Sequence, residues 1–150
     1  MRIIIQRVTK ASVEIEGQEF TSIQKGLVLL VGIEDEDTDE DLEWAATKIS
    51  KLRIFADEHG KSNFSIQDVQ AEILVLSQFT LFASLTQGNR PSYIKAGKPD
   101  FALLMFEKFY TLIKNYCKVK TEKGKFGVDC KIHLINDGPF TIWMNTKQRE

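Results

Sequence analysis

The sequence predicts an α/β fold class: a single mixed α/β domain, mainly β-sheet, with two principal helices. Three observations carry this. Residues 26–32 and 73–76 are apolar throughout, as in strands covered on both faces. Other segments alternate apolar and polar residues, the period of a half-buried strand. Two further stretches repeat apolar residues at i, i+3, i+4 and i+7, the stripe of an amphipathic helix. No repeat, low-complexity tract or linker interrupts the 150 residues, so residues 1–150 read as one domain.

Taken in order, residues 3–8 form a first predicted strand. Arg7 near its end is either a solvated edge residue or a brace for a neighbouring loop. Val13 and Ile15 mark a second strand, turning at Glu16-Gly17. After the buried strand at 26–32, Glu34 to Asp41 holds seven acids in eight positions, broken only by Thr38. The run reads as a solvated loop, because it lacks the glycine and terminal glutamate of a calcium loop. Thr38 and Asp41 have the spacing of a capping box, and Leu42, Ala45, Ala46 and Ile49 supply the helical stripe behind it.

Leu52-Arg53-Ile54-Phe55 reads as a short strand, ending at a 57–60 turn that exposes His59. The buried strand at 73–76 runs into Ser77-Gln78-Phe79-Thr80-Leu81. Polar residues at such a strand end either hold a ligand or merely cap the strand. Gly88-Asn89-Arg90-Pro91-Ser92 is a loop, and Pro99-Asp100 suits the start of the second helix. That helix carries Phe101, Leu104, Met105, Phe109, Leu112, Ile113 and Tyr116 at helical spacing, with Ala102, Leu103 and Phe106 widening the arc. Near the C-terminus, Val128, Cys130, Ile132 and Leu134 alternate before Asn136-Asp137-Gly138-Pro139-Phe140-Thr141, and Ile142 and Met144 alternate after it. Alternation on both sides of a Gly/Pro cluster predicts a β-hairpin.

Composition narrows the chemistry. A net charge of −1 argues against a globally basic nucleic-acid binder, while leaving room for a local basic patch. Cys117 and Cys130 read as two reduced thiols, and with no apolar leader and no run of membrane-spanning length the expected location is cytoplasmic. There is no phosphate-binding glycine loop, no His-x-x-x-His pair and no CxxC, so neither a metal nor a cofactor is expected. Ser77 has a base only if His133 folds beside it. Two classes remain. One is a non-catalytic RNA- or nucleotide-binding module. The other is a hydrolase whose backbone donors stabilise an oxyanion while the substrate supplies part of the chemistry.

Three separated blocks, 77–81, 88–92 and 136–141, resemble the D-aminoacyl-tRNA deacylases, and residues 1–8, 52–55 and 126–129 are similar to that family in the same order. The resemblance implies hydrolysis of the ester joining a D-amino acid to tRNA, with glycine mischarged on an alanine tRNA as a further substrate to consider. It implies a homodimer with active sites at the subunit interface, no cofactor and no membrane. Ser77, Gln78, Phe79 and Thr80 would form the catalytic segment, with the amide near Phe79 as oxyanion donor and a ribose hydroxyl of the substrate assisting. Gly138 and Pro139, joined by a cis bond, would screen chirality in the partner's pocket, held by Arg7. Ala102, Phe126 and Cys130 would border the terminal adenosine. Phe140, Cys130 and Tyr93 depart from the family, which commonly has valine, methionine and phenylalanine there.

Overall fold

The computed structural model describes residues 1–149. Eight strands and two helices follow one another as β1 (Arg2–Ile15), β2 (Gln18–Ile23), β3 (Gly26–Gly32), α1 (Asp39–Lys51), β4 (Phe55–Ala56), β5 (Ser62–Phe64), β6 (Glu72–Ser77), α2 (Pro99–Cys117), β7 (Thr121–Lys123) and β8 (Lys131–Asn145). The main sheet runs β2-β1-β3-β6-β7, with β8 on the other side of β1. It curls until the Thr21 hydroxyl on β2 reaches the Glu122 carboxylate on β7 at 3.3 Å, which makes it nearly barrel-like. No helix among the described residues is long and apolar enough to cross a membrane.

β3 and β6 pair in parallel, flanked by β1 and β7, and their side chains are buried on both faces. Gly26 is required there: a Cβ would lie 1.8 Å from the Glu72 carbonyl oxygen. Ile3, Ile5, Leu27, Leu29, Val31, Ile73 and Val75 face α1 and α2 and form the larger core. Val8, Ala11, Val13, Ile23, Val28, Leu74 and Leu76 fill the inside of the curl. The two predicted strands in residues 3–15 are one bent strand. An extra residue in β1 between Val8 and Lys10 disturbs its pairing with β8, so Ala11 and Val13 join Val8 on the inner face.

Both helices start as expected. The N–H and hydroxyl of Thr38 donate to the Asp41 carboxylate at 2.9 and 3.0 Å, and Pro99 occupies the first turn of α2. Leu103 and Leu104 point to solvent, because α2 turns Ala102, Met105, Phe106, Phe109 and Ile113 inward instead. The acidic run is not wholly solvated. Asp37 and Asp41 are buried, Asp37 bonded to the Met1 ammonium and Asp41 to Lys147 at 2.6 Å.

Two further expectations are corrected. Residues 52–54 connect α1 to the sheet ribbon without pairing, and only Phe55 and Ala56 form a strand, because their partner β5 is itself only three residues long. The C-terminal hairpin is absent. Residues before and after the Gly-Pro cluster both pair antiparallel with β1, Lys131 with Glu14 at one end and Asn145 with Arg2 at the other. Two steps along β1, Gln6 to Val8, face five along β8, Asn136 to Thr141, so the excess chain loops out of a single strand.

Candidate active site

At the C-terminal end of β6 the chain leaves the sheet through Gln78, whose N–H donates to the Val31 carbonyl at 2.7 Å, into a short 3-10 turn at Phe79–Phe82. The N–H groups of Phe79 and Thr80 find no acceptor among the described residues. They are the orphan donors expected where a strand breaks into a helical turn. The segment opens on a cleft of about 850 Å³. Ser77, Gln78, Phe79, Ala102, Phe126 and Cys130, assigned from dispersed parts of the sequence, all line it.

Each wall has a local cause. The loop 84–96 folds back through paired Ser84–Ser92 backbone bonds at 2.8 and 2.9 Å and is pinned to the end of β3 by Gly97 N–H to Ile33 carbonyl at 2.8 Å. That brings Tyr93 edge-on to Phe79, ring centroids 5.0 Å apart. α2 supplies Ala102 at the base, and the stretch between β7 and β8 supplies Phe126, whose ring packs 5.8 Å from Phe106 in the core. Cys130 is free and exposed, whereas burial pushes the Cys117 thiol up to about 12. Thr80 stands beside the lining, with Gln78 Nε2 donating to its hydroxyl. No histidine or carboxylate bonds Ser77 or Thr80 among the described residues, and His133 is engaged with Glu14 at 3.1 Å.

The second cluster lies elsewhere in the chain. Across the sheet Thr141 is level with Gln6, Val28 and Leu74, three strands from β6 and three residues short of Ser77. There Arg7 is only 9% exposed. Its Nε donates to the Asp137 carbonyl at 3.2 Å and pairs with the Asp137 carboxylate at 2.9 Å, while Nη1 donates to the Ile54 carbonyl. Its guanidinium lies 4.1 Å from the centroid of the Phe140 ring. Asn136 Nδ2 closes the loop, donating to the carbonyls of Arg7 at 2.9 Å and Phe140 at 3.2 Å. Gly138–Pro139 is cis and exposed at the tip.

The family model for D-Tyr-tRNA(Tyr) deacylase matches residues 4–145. The chain belongs to that family. It is 57% identical over 150 residues to a D-aminoacyl-tRNA deacylase of Flavobacterium johnsoniae and 52% identical to one of Bacteroides thetaiotaomicron, covering all of both chains in each case. A solved structure described as c-Myc DNA Unwinding Element Binding Protein superposes with a TM-score of 0.89 at 38% identity, covering 97% of this chain and 98% of that one. A probable eukaryotic D-amino acid tRNA deacylase superposes at 0.83 with 15% identity, covering 95% and 97%, a likeness of fold alone.

For a member of the deacylase family, the geometry divides the sequence-assigned residues into two groups that do not meet within one chain. Ser77, Gln78, Phe79, Ala102, Phe126 and Cys130 form a cleft with Thr80 beside it; Arg7, Gly138 and Pro139 form a braced, projecting turn. Sequence reasoning missed Ile33, Ile94 and Lys98 in the lining. Ile94 is 88% exposed and sits just past the Arg-Pro-Ser block, and that adjacency was its only signal.

Proposed function

We infer that this protein hydrolyses the ester of D-aminoacyl-tRNA, releasing a free D-amino acid and tRNA. The observation that carries the reading is the pair of amide donors at Phe79 and Thr80, without acceptors among the described residues, at the edge of a cleft of about 850 Å³ that Phe79 lines. Such a volume is within the roughly 300–1,000 Å³ typical of small-ligand sites. A carbonyl oxygen that gains charge during attack is stabilised by donors already aimed and already short of partners. Since no base bonds Ser77 or Thr80 among the described residues, a ribose hydroxyl of the substrate assists the attacking water, and Thr80 remains a hydrogen-bond partner of Gln78.

The active unit in this reading is a homodimer in which the Gly138–Pro139 turn of one subunit enters the cleft of the other. Three features support it. The turn projects from its own sheet, Arg7 and Asn136 hold it from beneath, and among the described residues the 15-residue β8 pairs only with β1. Ile135 and Trp143 on that strand are each about half exposed. A main-chain wall against one arm of the α-carbon excludes an L side chain while a D side chain points away. The same site would accept glycine mischarged on an alanine tRNA, since glycine has no side chain to exclude. Incubation of the protein with D-tyrosyl-tRNA tests the reading: free D-tyrosine and intact tRNA are expected. Tight binding of the tRNA without ester loss would instead favour a non-catalytic RNA-binding dimer.

A further inference from the structure

The lysines on either side of α2 are not equivalent. Lys120 pairs with Glu72 at 3.2 Å, Lys123 with Glu107, and Lys131 with Glu14 at 3.5 Å. Lys98 and Lys125, by contrast, line the cleft and have no carboxylate partner among the described residues. Both are exposed. The backbone beneath each is anchored: the Lys98 N–H donates to Asp35 at 2.8 Å, and the N–H of Gly124, next to Lys125, donates to the Val75 carbonyl at 3.0 Å. Two anchored stretches of backbone therefore carry exposed lysines without carboxylate partners among the described residues, offset within the lining only by Asp129.

Beside them stand two solvent-facing rings. Phe79 is 54% exposed and Tyr93 38% exposed, in edge contact with each other and both lining the same cleft. Unpaired cations interleaved with exposed aromatic faces are the combination that holds single-stranded nucleic acid, phosphates on the cations and bases on the rings. A protein-binding surface would gain from the rings but not from two unneutralised lysines at its edge.

We propose that the mouth of the cleft is a track for the unpaired nucleotides preceding the esterified terminal nucleoside, with Lys98 and Lys125 taking backbone phosphates and Tyr93 taking a base. The inference rests on the deacylase reading and adds to it a strand-binding function separate from the chemistry at Ser77 and its neighbours. Phosphates at this mouth fix how deep the ester reaches, so strand binding also sets substrate length.

The test compares D-tyrosyl-tRNA with 3′-O-D-tyrosyl-adenosine, which has no phosphate, using wild type and the Lys98→Gln/Lys125→Gln double variant. Salt-dependent binding of a single-stranded RNA tetranucleotide is measured alongside. The variant should lose about tenfold or more in kcat/KM on the tRNA ester beyond whatever it loses on the nucleoside ester. Its slope of log affinity against log salt should fall by about 1.4, at roughly 0.7 per phosphate contact. Tyr93→Ala should weaken tetranucleotide binding about tenfold with the slope unchanged. Equal losses on both esters, or an unchanged slope in the double variant, overturns the track and leaves the deacylase reading in place. If wild type cleaves neither ester, the deacylase reading fails, and the tetranucleotide slope alone still decides the track.

Discussion

Arg7 holds Asp137 twice, through its carboxylate at 2.9 Å and its carbonyl at 3.2 Å, immediately before the Gly138–Pro139 tip. This arginine is enclosed, at 9% exposure, and its guanidinium lies over the Phe140 ring that the same loop supplies. Arg7→Ala removes the brace and leaves the Ile54 carbonyl without its donor, a cost of about 1–3 kcal/mol in stability. The expected loss in deacylation is on the order of 100-fold, the scale of a misplaced positioning element. Arg7→Lys should fall between, since an ammonium cannot form the same fork and stack. Full activity in Arg7→Ala would remove the turn from the mechanism.

Beyond Asp137 and Pro139, no atom of another described residue lies within 4 Å of where a Cβ on Gly138 would stand. Gly138→Ala should therefore leave stability within about 0.5 kcal/mol of wild type, as for an ordinary surface change. If the tip enters a partner's cleft, the same variant should lose activity on the D ester or begin to hydrolyse the L ester. Melting and deacylation measured together separate the two effects. An unchanged profile in both would mean that the tip meets no substrate.

Thr80 accepts a hydrogen bond from Gln78 and has no base beside it. Thr80→Ala should keep most of the single-turnover rate. A drop of about 10⁴-fold or more, the scale of an essential nucleophile, would give Thr80 that role instead.

How much of this was legible in the sequence differs by element. β3 and β6 declare themselves because a strand buried on both faces needs no polar residues, and α1 because Thr38 and Asp41 bracket its first turn. The long β8 reads as a hairpin because alternation is a local signal; whether the chain reverses or loops out depends on β1, which is distant in sequence. The cleft residues Ala102, Phe126 and Cys130 come from the family resemblance, since a place on a helical arc or in an alternating run points to packing and not to a ligand. Which lysines remain free was hidden for a similar reason. Their partners Glu72, Glu107 and Glu14 come from three other elements.

The acidic run yields a pH prediction. Burial alone would raise the Asp41 carboxyl, but hydrogen bonds from Lys147, the Thr38 backbone and the Thr146 and Thr38 hydroxyls outweigh it and hold it well below the usual carboxylate range. A depressed carboxylate stabilises the fold above its unfolded pKa, about 3.9, and that contribution is lost as pH falls below it. Lys147 is shifted the other way: burial opposes its charge, yet Asp41, Asp37 and Glu34 hold it above its ordinary value, so its contribution is lost only at strongly alkaline pH. Asp41→Asn should cost roughly 2 kcal/mol near neutral pH, the scale of a hydrogen bond to a charged group, and flatten the melting curve's dependence below about pH 4. Parallel acid melts of the two proteins would refute the assignment.

The most direct measurement of the central claim is the ratio of kcat/KM for D-tyrosyl-tRNA to that for L-tyrosyl-tRNA, taken with one enzyme preparation and one tRNA. The account predicts rapid loss of the D ester and an L ester that decays no faster than in buffer. Equal hydrolysis of both esters would contradict the main-chain screen, and hydrolysis of neither would contradict the deacylase itself.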